Sequence, residues 1–424
     1  MRLEPPRLHV APMQCYTNSH CRVLLRLLAG DSAVLWTEME KAADLIAHPR
    51  RLEHQASEHP LVLQLGGDNP HELSAAAAAA QRHGGFTELN LNAGCPSITT
   101  GGADFGASLM QRAAHTRLLL EEMAAASGLP VSVKCRIGVH ETLLPDGTVP
   151  QDAYERLHAF VDETTRSGAA SHVVVHARAA ILGGLSPAKN RCVPPLRYNY
   201  VRRLADEFPH LRVAINGGLT LDGDWTRVPS FLASELDAVR RIDGVMVGRD
   251  ALRRPLDLWR WRPGAGLRDT GDEGNTQRPR GTSVASRAAA IESYTRYACR
   301  QVAARQATAR DVLQPITLVA QQLHEITEAG CSSDAAHAAW GVHENEEKEI
   351  FAAVWDGVVA IKAEQRSGQA GGREKGMDSA AEVLRRESGG SQLPTKKLLK
   401  LLSQALGKKE AGKIARNRAE AVVF

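Results

Sequence analysis

The sequence predicts an α/β fold: a closed (β/α)8 TIM barrel, followed by a small all-α helical domain and a basic C-terminal tail. The first reason is that short apolar or β-branched runs recur eight times within residues 1–263. The second is that segments with helical spacing separate these runs, which is typical of parallel βα units. Eight units in about 250 residues suit a closed barrel. An open dinucleotide-binding sheet would instead carry GxGxxG after its first strand, where this chain has PMQCYT.

The eight runs give the order of the strands along the chain. We predict strands at residues 8–12, 33–39, 61–67, 87–96, 131–138, 172–178, 212–218 and 244–249. Helical spacing between them is clearest at residues 70–83, 106–126, 151–167 and 198–208. Strands and helices alternate in this way throughout residues 1–263, which we therefore predict to be a single barrel domain.

The composition changes after residue 263. Residues 264–285 are rich in Gly, Asp, Thr and Arg and predict a flexible linker. Residues 286–365 regain helical patterning, at 291–302, 312–326 and 346–361, and predict a small helical domain. Residues 366–424 begin as low-complexity linker. From residue 394 they interleave lysines with leucines, which indicates a basic amphipathic helix, a disordered solubilising tail or a targeting patch.

The overall composition excludes several classes of protein. No run approaches the roughly 20 apolar residues of a membrane helix, and the first residues lack the apolar core of a secretory signal. We expect a cytoplasmic protein, or an organellar one if the native start lies upstream. The seven scattered cysteines form no CxxC pair, which indicates a reducing compartment and argues against a structural zinc site. We expect a monomer without a metal. The net charge of +4 is too small to indicate a partner.

Polar residues stand at the carboxyl ends of the predicted strands, where barrels place their working groups. In chain order they are Pro12-Met13, Glu38-Met39, Gln64, Asn90, Asn92, Cys95, Lys134, Arg136, His176, Arg178, Asn216-Gly217-Gly218 and Gly248-Arg249. A polar group at the end of an apolar strand is costly unless it binds something. A ring of such groups therefore predicts a functional site.

The ends of the seventh and eighth strands predict a phosphate site. Asn216-Gly217-Gly218 and Gly248-Arg249 offer backbone N–H groups and a guanidinium at the strand pair where barrels frequently bind phosphate. The alternative is that these residues are turn glycines and a surface arginine.

Gln64, Lys134 and His176 come from three different strands and should point into one mouth. A glutamine can both donate to and accept from the amide edge of a ring. Lys134 could stabilise negative charge on a reduced flavin or form a Schiff base. The alternatives are a solvated lysine and a structural histidine.

Cys95 follows Gly94 and precedes Pro96, so that its thiol is presented on a loop. A free cysteine is more often a small buried hydrophobe. Its position beside Asn90 and Asn92 favours a chemical role instead. A thiol with an ordinary pKa is mostly protonated at neutral pH and can act as an acid.

Taken together, the motifs resemble those of tRNA-dihydrouridine synthases. They run in order through residues 7–263: APM (11–13), TEM (37–39), LQLGG (63–67), LNLNAGCPS (89–97), VKCRIG (133–138), HAR (176–178), INGG (215–218) and DGVMVGR (243–249). The segment GLSPAKNRCVPPL (184–196) is similar to the A class, which modifies uridines 20 and 20a of the tRNA D-loop. The resemblance implies an FMN-binding catalytic barrel and a helical RNA-binding domain.

The resemblance also implies roles for individual residues. FMN would be held by Pro12, Met13, Gln64, Lys134, His176, Asn216, Gly217, Gly218, Gly248 and Arg249, and reduced by NADPH. Hydride would pass to C6 of a uridine flipped out of the tRNA, and Cys95 would protonate C5. Asn92, Arg178, Lys189 and Arg191 would contact the substrate tRNA. A basic stretch that continues through Arg197, Arg202 and Arg203 would follow the phosphate backbone, unless it is simply a solvated face.

The chain departs from the family pattern in three places. Residues 98–101 read ITTG where the family has a basic loop, and Ala179 stands where the family has a lysine. In the helical domain, Leu318 and Val319 replace an arginine and a histidine, and Trp340 stands among acidic residues. The redox chemistry is therefore more firmly predicted than the position of the uridine.

Two rival functions remain at this point. A flavin reductase of free pyrimidines would act on uracil but not on tRNA. A non-catalytic RNA-binding barrel would have lost its flavin and its yellow colour.

Overall fold

A computed structural model describes residues 7–96, 105–152, 154–221, 242–262, 285–328, 342, 344–367, 382, 386 and 393–406. The strands are β1 (Arg7–Val10), β2 (Ala33–Lys41), β3 (Leu61–Gly66), β4 (Glu88–Ala93), β5 (Val131–Arg136), β6 (Val139–His140), β7 (Ala170–His176), β8 (Ala180–Ile181), β9 (Arg212–Asn216) and β10 (Ile242–Val247). The helices are α1 (Ser19–Ala29), α2 (Ala42–Ala47), α3 (Pro70–His83), α4 (Ala113–Ser127), α5 (Tyr154–Thr165), α6 (Tyr198–Glu207), α7 (Arg249–Arg253), α8 (Arg287–Ala303), α9 (Ala309–Glu328), α10 (Glu344–Ser367) and α11 (Thr395–Leu406).

The chain divides into two compact units. Residues 1–19 and 33–248 belong to the first, and residues 20–32 and 249–423 belong to the second. The predicted domains (1–263, 264–285, 286–365 and 366–424) stay a prediction, because most of the linker and the end of the tail lie outside the described residues.

The first unit is a closed barrel of eight parallel strands in the order β1-β10-β9-β7-β5-β4-β3-β2. The predicted fold class is therefore confirmed. The interior is filled by apolar side chains from several strands: Ala11, Val34, Trp36, Val62, Val174, Ala214 and Met246. Most of the predicted strands run a few residues too far at their carboxyl ends. There the Gly, Pro and polar residues leave the strand ladder and form the loops.

Helix α3 shows how closely local sequence signals set an element. Asn69 begins it by accepting hydrogen bonds from the backbone N–H groups of His71 and Glu72, and Pro70 occupies the first turn. Gly84, with a φ of 78°, ends it. The predicted span of 70–83 is the observed one. The predicted helix at 106–126 is instead a 3-10 segment, Gly106–Gln111, followed by α4.

The second unit contains four long helices whose apolar faces pack together. In α9, Ile316, Thr317, Leu318 and Val319 are all buried. The side chains at 318 and 319 therefore belong to the core of this unit, which explains why apolar residues stand where the family has a basic pair. No helix within the described ranges is long and apolar enough to cross a membrane.

Helix α11 is the described part of the basic C-terminal stretch. Leu398, Leu402 and Leu406 are buried, so its leucine stripe packs within the unit and forms part of its core. Lys396 forms an ion pair with Glu328 at 2.9 Å. The remaining cations of the tail, from residue 407 onward, lie outside the described residues.

Buried polar side chains lie inside the barrel, below its mouth. The Trp36 indole N–H donates to Nδ1 of His9 at 3.2 Å, and Nδ1 of His172 lies 3.0 Å from the Glu88 carboxylate. An indole only donates and a carboxylate only accepts. Neutral His9 therefore carries its proton on Nε2, and neutral His172 carries its proton on Nδ1.

Ligand atoms of His9, His172 and Asp243 lie within 4.8 Å of one another, which is close enough for a metal site. The hydrogen bonds argue against one. A metal on Nε2 of His9 would displace the proton that the Trp36 bond places there, and Asp243 already pairs with Arg212 through two bonds of 3.1 and 3.0 Å. The cluster is best described as two hydrogen-bonded pairs, Trp36 with His9 and His172 with Glu88, beside the ion pair of Arg212 with Asp243.

Buried His9 and Glu88 should make the stability of the protein sensitive to acid. Burial, and next the charge of His172, lower the pKa of His9 to about 3. Burial acts to raise the pKa of Glu88, but His172, Ser132 and Arg212 together outweigh burial and leave that pKa lowered. Both groups destabilise the folded protein as pH falls, because each takes up its proton at a higher pH in the unfolded chain than in the folded one.

We expect the free energy of unfolding to fall between pH 6.5 and pH 4, with each such proton contributing at most about 1.4 kcal/mol per pH unit. His9→Gln should flatten the dependence, whereas exposed His48→Gln should not. Urea denaturation at several pH values measures both. If the free energy of unfolding depends on pH with the same slope in the wild type and in His9→Gln, His9 does not cause the loss of stability.

Candidate active site at the carboxyl ends of the strands

The predicted site residues form a nearly continuous ring of contacts around the barrel mouth. The ring begins where β1 and β10 end: a Cβ placed on Gly248 would lie 3.6 Å from Cβ of Ala11 and 3.9 Å from Sδ of Met13. The backbone N–H of Met13 donates to Oγ1 of Thr17 at 3.0 Å, which fixes the loop after Pro12. The end of β10 at Gly248 therefore lies in van der Waals contact with the loop that follows β1.

The glycine turn after β9 is shaped by its neighbours. Gly217 and Gly218 have φ values of 111° and 66°, which L side chains rarely adopt. A Cβ at Gly217 would lie 2.6 Å from Cδ2 of His176, and one at Gly218 would lie 2.8 Å from Leu196. The Tyr198 hydroxyl donates to the carbonyl of Gly217 at 2.6 Å. Only glycines fit this turn, of which Gly217 is buried and Gly218 is exposed.

Lys134 bridges two strand ends. Its Nζ donates to Oδ1 of Asn216 at 3.2 Å, and Nδ2 of Asn216 donates to the carbonyl of Met246. Burial, and next the charge of Arg136, lower the pKa of Lys134 to about 8, while Cys135, and next Cys95, act in the opposite direction. Lys134 is therefore mostly cationic at neutral pH but close to its titration point.

His176 lies among cations. Burial lowers the pKa of its imidazole well below the usual range, and four positive charges act in the same direction: Arg136, Lys134, Arg178 and Arg191. His176 is therefore neutral at physiological pH, with one donor and one acceptor nitrogen. Four cations around one neutral imidazole make the mouth attractive to an anion.

Gln64 belongs to a chain of side-chain amides beneath the mouth. Nδ2 of Asn92 donates to Oε1 of Gln64 at 2.9 Å, and Nε2 of Gln64 donates to Oδ1 of Asn90 at 2.8 Å. Nδ2 of Asn90 then donates to Oγ of Ser132 at 2.8 Å. Gln64 retains one amide hydrogen and one lone pair, so it can still meet the amide edge of a ring.

Cys95 lies on a tightly held turn and is half-buried. Oδ1 of Asn92 accepts the N–H groups of Gly94 and Cys95, at 3.1 and 3.0 Å. The carbonyl of Cys95 accepts the N–H of Ala107 at 2.9 Å. A Cβ on Gly106 would lie 2.6 Å from that carbonyl, so only a glycine fits there. The intervening residues 97–104, with the ITTG departure, lie outside the described residues.

Two buried arginines support the surrounding loops. Nε of Arg136 donates to the carbonyl of Gly94 at 3.1 Å, and its Nη1 donates to those of Ala179 and Asn190. Nη1 of Arg178 donates to the carbonyls of Cys192 and Pro194. The sequence assigned no role to Arg136, although its place two residues after Lys134 in VKCRIG was a usable signal.

The GLSPAKNRCVPPL segment is built around one buried asparagine. Asn190 accepts the N–H of Ile181 at 2.7 Å and donates to the carbonyls of Ile181 and Leu185. It anchors the short β6–β8 pair, which the sequence did not predict. Ala179 is fully buried, so the position of the missing lysine is a packing position in this chain.

The structure separates the four predicted tRNA-contacting residues into two groups. Lys189 is exposed on the 3-10 turn Lys189–Arg191, and Arg191 is half-buried there. Arg178 is 7% exposed and Asn92 contacts the Cys95 turn, so both support the site from within. Arg249, which was predicted to hold the cofactor, opens α7 directly after Gly248.

A closed parallel barrel that carries a glycine turn, a buried lysine and a half-buried thiol at the carboxyl ends of its strands has the architecture of a barrel enzyme. The sequence profile of the dihydrouridine synthase family matches residues 9–262. The chain belongs to this family, whose members are flavin-dependent oxidoreductases that act on uridines in tRNA.

The chain is also similar to individual proteins named tRNA-dihydrouridine(20/20a) synthase. It is 44% identical over 267 residues to one from Xanthomonas campestris, an alignment that covers 61% of this chain and 73% of the relative. It is 42% identical over 262 residues to one from Pseudomonas putida (61% and 71% covered) and 39% identical over 254 residues to one from Vibrio cholerae (59% and 71% covered).

Lys134 gives the site a titration that can be measured. If its ammonium helps hold a flavin, affinity should fall as pH rises through about 8, because the folded protein then loses this cation. We expect the dissociation constant for FMN to rise by up to about tenfold between pH 7 and pH 9.

Lys134→Met should bind FMN more weakly at pH 7 and lose the inflection, whereas Lys362→Met in α10 should behave as the wild type. Fluorescence titration measures this. An unchanged inflection in Lys134→Met would assign the titration to another group.

Proposed function

We propose that this protein reduces uridine to 5,6-dihydrouridine at position 20 or 20a of the tRNA D-loop, with FMN as cofactor and NADPH as reductant. The observation that carries the proposal is the Cys95 turn, which Asn92 and Ala107 hold through backbone hydrogen bonds on the same rim as the Gly217-Gly218 turn. The names of the relatives support the position of the uridine. The reducing environment expected of a cytoplasmic enzyme agrees with the six described cysteines, which are all free.

The residues present fit FMN. The cations around His176 suit the phosphate, and Gln64 retains one amide hydrogen and one lone pair for the ring. We assign the phosphate to Gly217, Gly218, Gly248 and Arg249, and the ring to Met13, Gln64, Lys134 and His176. Bound FMN supplies the hydride that adds to uracil C6.

Cys95 supplies the proton. Reduction of the C5–C6 bond leaves C5 needing a proton, and the Cys95 thiol is a donor that is presented on a fixed turn. Arg136 donates to the carbonyl of Gly94, the residue before Cys95, at 3.1 Å, which places a cation beside the thiolate that results. The uridine must leave its stack to reach this thiol.

The tRNA surface of this chain differs from the family pattern. The loop after Cys95 and residues 318 and 319 lack the basic residues of the family. Lys189 and Arg191 on the barrel rim and the lysines of α11 are the cations that we assign to the tRNA backbone. The enzyme acts as a monomer in this proposal.

Replacing the thiol should separate the two half-reactions. We expect Cys95→Ala to bind FMN and to accept electrons from NADPH at a near-normal rate, but to reduce uridine at least ~100-fold more slowly, because general acids contribute about that much. Single-turnover reduction followed by dihydrouridine quantification in tRNA gives both rates.

Cys192→Ser is the matched control, since its sulfur contacts only loop backbone, at 3.0 Å from the carbonyl of Ala188. It should retain both half-reactions. Full uridine reduction by Cys95→Ala would remove the thiol from its assigned role.

The lysines of α11 should contribute to tRNA affinity independently of the tRNA sequence. Because the leucines of α11 are buried in the core, point substitutions of the lysines test this better than a deletion of the helix. We expect the combined variant Lys396→Gln, Lys397→Gln and Lys400→Gln to reduce the slope of log affinity against log salt by up to about 2 units. Filter binding of tRNA at several salt concentrations measures the slope.

The control removes three exposed cations from barrel helices: Arg82→Gln, Arg156→Gln and Arg166→Gln. It should leave the slope near that of the wild type. If both variants change the slope equally, α11 has no particular part in binding.

A further inference from the structure

We propose that Tyr198 is a positioning residue: its hydroxyl fixes the peptide between Gly217 and Gly218, so that the N–H of Gly218 is presented to the phosphate of FMN. The inference rests on the proposed function, because it takes the turn after β9 as the phosphate site. The sequence motifs and the family resemblance assigned no role to this tyrosine.

Tyr198 is the first residue of α6, and the backbone before it is tied to two strand ends. The N–H of Arg197 donates to the carbonyl of Ala177, directly after β7, at 2.8 Å. The N–H of Ala177 in turn donates to the carbonyl of Asn216, at the end of β9, at 2.9 Å. These bonds hold the start of α6 at the rim and bring the phenol ring to the glycine turn.

The hydrogen bond between Tyr198 and the turn can have only one direction. The hydroxyl lies 2.6 Å from the carbonyl oxygen of Gly217, and a carbonyl oxygen only accepts. Burial raises the pKa of Tyr198 to about 12, while the charge of Arg178 acts in the opposite direction. The hydroxyl therefore keeps its proton at physiological pH and donates it to the turn.

The direction of this carbonyl determines where the next N–H points. The peptide bond between Gly217 and Gly218 is trans, so its C=O and N–H groups point in opposite directions. Because Tyr198 holds the C=O, the N–H of Gly218 points away from the phenol. Gly218 is exposed, and no acceptor in the described part of the chain contacts its N–H. This N–H is therefore available to an anion.

A pair of glycines needs such a restraint more than other residues do. Glycine adopts positive and negative φ about equally readily, so a peptide between two glycines can turn over at little steric cost. Side chains at Gly217 and Gly218 would collide with His176 and Leu196, so larger residues cannot stiffen the turn. The bond from Tyr198 restrains the turn from outside and holds the donor in place before the ligand arrives.

The phosphate is the part of the cofactor to which this donor matters. FMN differs from riboflavin only in its phosphate, whose oxygens accept hydrogen bonds from backbone N–H groups. Loss of the Tyr198 hydroxyl should therefore weaken binding of the flavin that carries a phosphate and leave binding of the other nearly unchanged. A purely structural role of Tyr198 would affect both flavins alike.

The test compares Tyr198→Phe with the wild type, each as the full chain freed of bound flavin. Fluorescence titration gives the dissociation constants for FMN and for riboflavin. We expect Tyr198→Phe to raise the constant for FMN about three- to tenfold, because one hydrogen bond contributes about that much, and the constant for riboflavin less than about twofold. The preference for FMN over riboflavin should therefore fall.

Tyr200 provides a matched control on the same helix, because its hydroxyl also donates to a backbone carbonyl, that of Asp152, at 3.0 Å. Tyr200→Phe removes a bond of the same kind away from the glycine turn and should keep the wild-type preference for FMN. Tyr198 has no positioning role if Tyr198→Phe keeps that preference, if it weakens binding of both flavins equally, or if Tyr200→Phe lowers the preference as much.

The wild type distinguishes these outcomes from failure of the proposed function. If the wild type binds neither flavin, or binds FMN no more tightly than riboflavin, the phosphate site is wrong and the role of Tyr198 fails with it. If the wild type prefers FMN and Tyr198→Phe loses that preference, but tRNA does not reoxidise the reduced wild-type enzyme, the role of Tyr198 stands and the reduction of uridine in tRNA is wrong.

Discussion

Closure of the barrel at β1 is the constraint on which the active site depends. Strand β1 pairs with β10 through four residues and with β2 through two, all in parallel register. This pairing brings the start of the catalytic unit, at Met13, against its end, at Gly248. Parallel strands that close on themselves bring all their carboxyl ends to one rim, so residues more than 200 positions apart share a site.

The buried polar groups at the rim need hydrogen-bond partners. Most of them find these partners inside the protein: Lys134 donates to Asn216, and the side chains from Asn92 to Ser132 are hydrogen-bonded in series. Low dielectric strengthens such bonds and makes an unpaired group costly. The same contacts therefore stabilise the mouth and orient the groups that meet a cofactor, which is why a site of this kind is also a rigid one.

A large part of this arrangement could be predicted from the sequence. The eight strands and the polar residues at their ends followed from apolar periodicity, because a buried parallel strand has a simple pattern. The direction in which Asn92 points could not be predicted, since it depends on backbone N–H groups in three dimensions. The loop carbonyls that Arg136 binds and the partners of His9 and His172 could not be predicted either, because a buried charged residue within a strand looks the same whether it supports a loop or binds a ligand.

The account is tested most directly by mapping dihydrouridine in tRNA from cells that lack this protein. Uridines 20 and 20a should remain unreduced, and the modification should return with the wild-type chain but not with Cys95→Ala. An unchanged dihydrouridine pattern at these positions would contradict the account.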